Sequence, residues 1–109
     1  MWRRLLLWLC LLLGACGNDS TPGTNSAQGA EVEHGRRIYM AYCISCHKID
    51  PSKDGPIGPA VKGSSRALLE AKIVRGTYPP GYKPKRNTAI MPTQPALQPS
   101  IPDLAAYLK

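Results

Sequence analysis

The 109-residue chain contains no phenylalanine, and both of its tryptophans, Trp2 and Trp8, fall within the first ten residues. Beyond them, five tyrosines are the whole aromatic supply: Tyr39, Tyr42, Tyr78, Tyr82 and Tyr107. A short chain with so little bulky apolar material forms one small domain and needs a staple, such as a disulfide, a metal or a cofactor. The one long apolar run, Leu5 to Leu13, is about half of what a membrane-spanning helix needs. Acidic residues are scarce, seven against fourteen Lys and Arg, for a formal net charge of +7. That balance points to acidic partners or an anionic surface. No segment alternates in the manner of a strand, and no internal repeat is present.

The N-terminus reads as a targeting segment. Arg3 and Arg4 precede the apolar run, and small residues follow it in Leu13-Gly14-Ala15-Cys16. This is the layout of a secretory signal peptide. The Leu-Gly-Ala-Cys ending resembles the bacterial lipoprotein box. That resemblance implies cleavage after residue 15, acylation of Cys16, and a lipid-anchored protein on the periplasmic or cell-surface side of a bacterial membrane. An ordinary signal peptide with an incidental cysteine is the alternative. Several acyl chains would anchor stably where a single one would not. Removing residues 1–15 takes Arg3 and Arg4 from the fourteen basic residues, leaving twelve against seven acidic, or +5.

Residues 16–29 follow as a linker. Their Gly, Ser, Thr, Asn and Pro composition predicts a flexible tether, spanning roughly 20 Å by random-coil scaling. The domain proper is expected over 30–109. A first helix is predicted from Glu31 to Cys43, with Val32, Ile38, Tyr39 and Tyr42 at roughly helical spacing. Residues 48–63 are rich in Gly and Pro and read as loop. A second helix opens at Ser64 or Ser65, carries Leu68, Leu69, Ala71 and Ile73, and stops at Gly76. Residues 77–99 hold many prolines and read as a long ordered loop. The last helix opens on Ser100-Ile101-Pro102-Asp103, with Ser100 as cap, and runs to Lys109.

Chemistry concentrates in Cys43-Ile44-Ser45-Cys46-His47. With Cys10 removed and Cys16 acylated, these are the only two thiols of the mature chain. Three readings suit them. Covalent haem attachment would join both thiols to the haem vinyl groups and place His47 as proximal iron ligand. A thioredoxin-like dithiol would require a βαβ frame, which the sequence does not show. Half of a zinc site would require a second Cys or His pair, and the only other histidine is His34. Haem suits the spacing best.

Over residues 30–109 the chain also resembles the small single-haem class I cytochromes c. Gly35 to Tyr39 resembles that family's N-terminal helix, where Gly allows the C-terminal helix to cross closely beside an aromatic. Tyr107 resembles the aromatic of the opposing helix. Gly55 to Gly63, "GPIGPAVKG", resembles the stretch whose proline carbonyl accepts a hydrogen bond from the proximal histidine, and Pro59 is the matching residue. "AIMPTQP" resembles the element that carries the distal methionine, and Met91 is the matching residue.

The resemblance implies an all-α fold of about three main helices and long loops around one covalent haem c. It implies iron between His47 and Met91, and electron transfer rather than enzymatic turnover. Met40 lies three residues before Cys43 on the same helix and cannot easily reach the far face. His34, also on that helix, reads as a solvated residue. The chain departs from simpler relatives at 77–90, where Tyr78, Tyr82, Lys83, Lys85 and Arg86 suggest a basic, aromatic lip around the haem edge. That lip would contact a propionate or steer a partner; a solvated loop with its tyrosines folded inward is the plainer reading. Expected partners are redox proteins with acidic docking surfaces and the membrane that holds the anchor. Nucleic acid is not expected for an exported chain, and a monomer is. Three roles are compatible: a tethered electron carrier, a fixed haem subunit of a larger respiratory or dehydrogenase complex, and a sensor or enzyme with a displaceable Met91.

Overall fold

A computed structural model describes residues 24–109. The expected signal peptide, Cys16 and the first part of the linker lie outside the described residues. Among the described residues there are helices and loops and no strand. Helix α1 spans Thr24–Tyr42. Helix α2 spans Arg66–Leu69 and widens directly into a π-helical segment, Glu70–Val74. A 3₁₀ segment, Pro95–Ser100, leads without a break into α3, Ile101–Tyr107. The fold is a small all-α one, as the sequence predicts.

Helix α1 starts earlier than its apolar pattern indicates. Residues 24–29, expected to belong to a flexible linker, are helical, and the side chains from Ser26 to Glu33 are exposed. Adding residues to an existing helix is far easier than nucleating one. The packed half of α1 therefore carries an overhang that buries nothing. The predicted apolar face is also narrower than expected. Tyr39 is buried and Ile38 packs on the core, whereas Val32 and Tyr42 are exposed.

The core forms where α1 and α3 cross. A Cβ at Gly35 would lie 2.6 Å from the carbonyl carbon of Asp103 and 2.9 Å from Tyr107 Cβ, so only glycine allows this approach. One turn on, Tyr39 and Tyr107 meet with ring centroids 5.6 Å apart and planes tilted by 49°. Around them gather Leu69, Ile73, Leu97, Ile101, Leu104 and Leu108. His34 is not the solvated residue expected. Its Nδ1 lies 2.6 Å from Asp103 Oδ2, bridging the two helices at the crossing.

The second helix follows its sequence signals. Ser65 has extended backbone, and its hydroxyl accepts from Leu68 N at 3.1 Å. Gly76 ends the segment with φ +67°. Ser100, by contrast, makes no side-chain cap. The preceding 3₁₀ turn already supplies partners, with Ile101 N–H donating to Gln98 O, so α3 has no bare end to cap. Helix α3 also stops at Tyr107 rather than Lys109, although Leu108 remains buried.

Two predictions follow from this packing. Gly35→Ala should lose roughly 1–3 kcal/mol of stability, the usual cost of overpacking a close contact; an unchanged denaturation midpoint would refute the close-crossing account. The Tyr39 hydroxyl donates to Lys48 O at 2.5 Å, and burial pushes its pKa from 10.0 up to about 12. A phenol raised in the folded state favours folding fully below its unfolded pKa and loses that contribution as pH rises through the folded one. Denaturation midpoints should therefore fall between about pH 10 and 12, and Tyr39→Phe should flatten that part of the decline.

Candidate cofactor site

The last turn of α1 delivers Cys43, Cys46 and His47 into one tight bend. Cys43 N–H donates to Tyr39 O at 2.9 Å, and His47 N–H donates back to Cys43 O at 2.9 Å. Both cysteines are half-buried free thiols. Burial, with a smaller contribution from the neighbouring Cys46, pushes the Cys43 thiol up to about 11. In the free polypeptide it is therefore a protonated thiol at neutral pH.

The loop that follows folds back over the histidine. The carbonyl of Cys46 accepts from Gly58 N at 2.8 Å and from Ile57 N at 3.2 Å. Gly55 N donates to Gly58 O at 2.9 Å, and Ala60 N donates to Asp54 Oδ1 at 2.8 Å. The loop then presents Pro59 O to His47 Nδ1 at 2.7 Å. A carbonyl can only accept, so Nδ1 carries the proton and Nε2 is left with its lone pair. Gly58 lies flat against the ring: a Cβ there would sit 2.6 Å from Nδ1 and 2.8 Å from Nε2. The importance of Gly58 was not recognised from the sequence, although the Gly-Pro-Ile-Gly-Pro run was its signal.

These residues line a cavity of about 200 Å³. Met91, half-buried, lines it too and packs against the core, so the structure brings together Cys43, Cys46, His47, Pro59 and Met91 on one cavity. Met40 and His34 do not line it. From α2 and the π segment come Leu68, Leu69, Lys72 and Ile73.

The remaining wall is the 77–90 loop. Tyr78 and Tyr82 stack at 5.3 Å with planes 10° apart, and Lys72 Nζ lies 4.5 Å from the Tyr78 ring centroid. Neither tyrosine belongs to the buried core. Lys85 and Arg86 are engaged with the backbone of the His47 loop, an arrangement that charge alone did not foretell.

The donor set fits a haem. Five large apolar side chains are exposed among the described residues, and three of them line this cavity: Tyr42 at 52%, Ile57 at 47% and Ile90 at 64%. Apolar surface left in water around a concave wall suits a flat apolar body. The two thiols stand on the same wall, beside an imidazole with one nitrogen free. The other two readings find less support. Among the described residues no group of three or more His, Cys, Asp or Glu could hold a metal ion, and no strand frames the cysteines.

Gly58→Ala should push the imidazole off its hydrogen bond to Pro59. The expected result is a loss of roughly 1–3 kcal/mol in stability and an altered visible spectrum of the cofactor-loaded protein. An unchanged spectrum would mean that Gly58 does not set the ring orientation.

No curated protein and no solved structure matches the chain. The family model described as Cytochrome c matches residues 32–109, well over half of the sequence. The chain therefore belongs to the cytochrome c family: it is a haem-based electron-transfer protein whose Cys43-x-x-Cys46-His47 motif fits the covalent attachment of haem c.

Proposed function

We propose that the chain is an electron carrier with one haem c ligated by His47 and Met91, tethered to a membrane through an acylated Cys16. The observation that carries the ligand assignment is the single cavity that both residues line, with His47 Nδ1 committed to Pro59. A proton fixed on Nδ1 leaves Nε2 as the nitrogen that would bind iron, and the hydrogen bond fixes the orientation of the ring. Met91 is the only half-buried thioether on that cavity among the described residues. A soft thioether opposite an imidazole favours Fe(II) and raises the potential. When bound, the haem supplies a one-electron Fe(III)/Fe(II) couple.

The chain's own residues serve that couple by staying still. Cys43 and Cys46 would fix the haem covalently, the 54–60 loop holds the imidazole, and His47 and Met91 would hold its iron. Small rearrangement between oxidation states is what outer-sphere electron transfer needs. The exposed Tyr42, Ile57 and Ile90 place one side of the cavity at the surface, where a partner can approach. The excess of basic residues favours acidic docking faces, with an encounter rate that falls as salt rises. The tether supports the carrier reading because it concentrates the domain near membrane partners. Among the described residues no helix is long and apolar enough to cross a membrane.

Optical spectra of the loaded protein test the ligand pair. The reduced protein should show a c-type α-band, and the oxidised protein the weak far-red band of a Met–Fe(III) bond. Met91→Ala should abolish the weak band and leave the covalent haem in place. A parent protein without that band, which also binds carbon monoxide readily, would overturn the assignment of Met91. Cys16→Ser tests the anchor separately: it should abolish palmitate labelling and release the protein from membranes, and a variant that stays labelled and membrane-bound would overturn the anchor.

A further inference from the structure

The segment carrying Met91 is tied to the loop that orients His47 by two cationic side chains. Lys85 Nζ donates to Ala60 O at 2.7 Å. Arg86 Nη1 donates to Ile57 O at 2.7 Å, and Arg86 Nη2 donates to Gly55 O at 3.4 Å. Arg86 also faces Asp54 Oδ1 at 4.0 Å, the oxygen that accepts from Ala60 N. All of these contacts fall on the 54–60 loop, and the carbonyl between Ile57 and Ala60 that they leave for the imidazole is Pro59 O. The planar fork of Arg86 suits two carbonyls of one turn. Its side chain is one-third exposed; the bond to Gly55 O is part-buried, and those to Ile57 O and Ala60 O are exposed.

On the other side of Met91 a second anchor closes the segment. Gln94 N–H donates to Ile73 O at 2.6 Å, on the π segment. Met91 is thus suspended between Arg86 and Gln94, with only four residues separating it from the first. Pro79, Pro80 and Pro84 restrict the approach to Lys85 and Arg86, which lowers the entropy lost in forming the bonds.

We propose that Lys85 and Arg86 are positioning residues that couple the two axial sides of the iron. They hold the Met91 segment closed by gripping the loop that presents Pro59 to His47. This inference rests on the proposed ligation by His47 and Met91. It assigns the 77–90 loop a mechanical role, separate from partner steering: removing the strap frees the segment between Gly76 and Gln94, and Met91 leaves the iron more often.

The test compares loaded proteins. Lys85→Gln/Arg86→Gln removes the strap. Lys53→Gln/Lys83→Gln removes the same charge from two lysines whose side chains make no hydrogen bond or ion pair. The strap variant should weaken the far-red Met–Fe(III) band. Its reduced form should bind carbon monoxide with an open fraction about tenfold higher or more, the scale set by losing one hydrogen bond to a charged donor. The charge control should match the parent in both. Arg86→Lys alone, which keeps a donor for Ile57 O, should fall between, and carries the same reading if the double variant loads poorly. A strap variant that matches the charge control overturns the inference while leaving the ligand assignment intact. A parent without the far-red band, unchanged by Met91→Ala, overturns the ligand assignment and the inference with it.

Discussion

The hydrogen bond from His47 Nδ1 to Pro59 O is the constraint on which the site depends. An imidazole beside two thioether-forming cysteines can rotate and can carry its proton on either nitrogen. Under the proposed ligation, only one combination of rotation and tautomer would serve as an iron ligand. The protein fixes both with one carbonyl, and that carbonyl needs a rigid loop behind it. Much of the chain between residues 46 and 60 is occupied with that task. Cys46 O holds Ile57 and Gly58, Asp54 holds Ala60, and Gly58 gives up its side chain so that the loop can lie on the ring.

The same economy governs the helical frame. Gly35 brings α3 onto α1, and the crossing in turn fixes Tyr39, which is one turn before Cys43. The Tyr39 hydroxyl then reaches forward to Lys48 O, one residue beyond His47. The bend carrying Cys43, Cys46 and His47 is therefore clamped at both ends by one buried tyrosine. A close helix crossing far from the imidazole contributes to where the imidazole sits. This is why a chain with so few aromatics places one of them here.

Much of this was legible in the sequence, and the parts that were not have physical reasons. The Cys43-x-x-Cys46-His47 spacing is local chemistry, and Ser65 and Gly76 are local backbone signals, so each could be read directly. The Gly35 crossing, the Pro59 carbonyl and the place of Met91 on the cavity could be read only through resemblance, because each depends on residues far along the chain. The misreadings share one cause. Ser100 and Asp103 look like a helix start, yet a 3₁₀ turn already satisfies the backbone there, and Asp103 turns to His34. His34 looked solvated because its partner is 69 residues away. Lys85 and Arg86 looked like surface charge because nothing in a sequence shows which carbonyls a cation can reach. Residues 24–29 looked like linker because helix propagation from a packed neighbour leaves no apolar pattern.

The described core is small and lies to one side of the cavity lined by Cys43, Cys46 and His47. Its buried side chains are aliphatic apart from Tyr39, and they lie at the junction of α1, α2, the π segment and α3. Tyr42, Ile57 and Ile90, which line the cavity, stay about half exposed or more among the described residues. Burial of apolar surface scales with area, at roughly 25 cal/mol per Å², so exposing those side chains forfeits what a lean chain can least spare. A haem held by Cys43 and Cys46 would cover part of that exposed wall. The bonds from Lys85 and Arg86 then acquire a further meaning. They tie the Met91 segment to the loop behind His47, and both segments line the same cavity. Under the proposed ligation, redox chemistry and folding would draw on the same wall of the cavity.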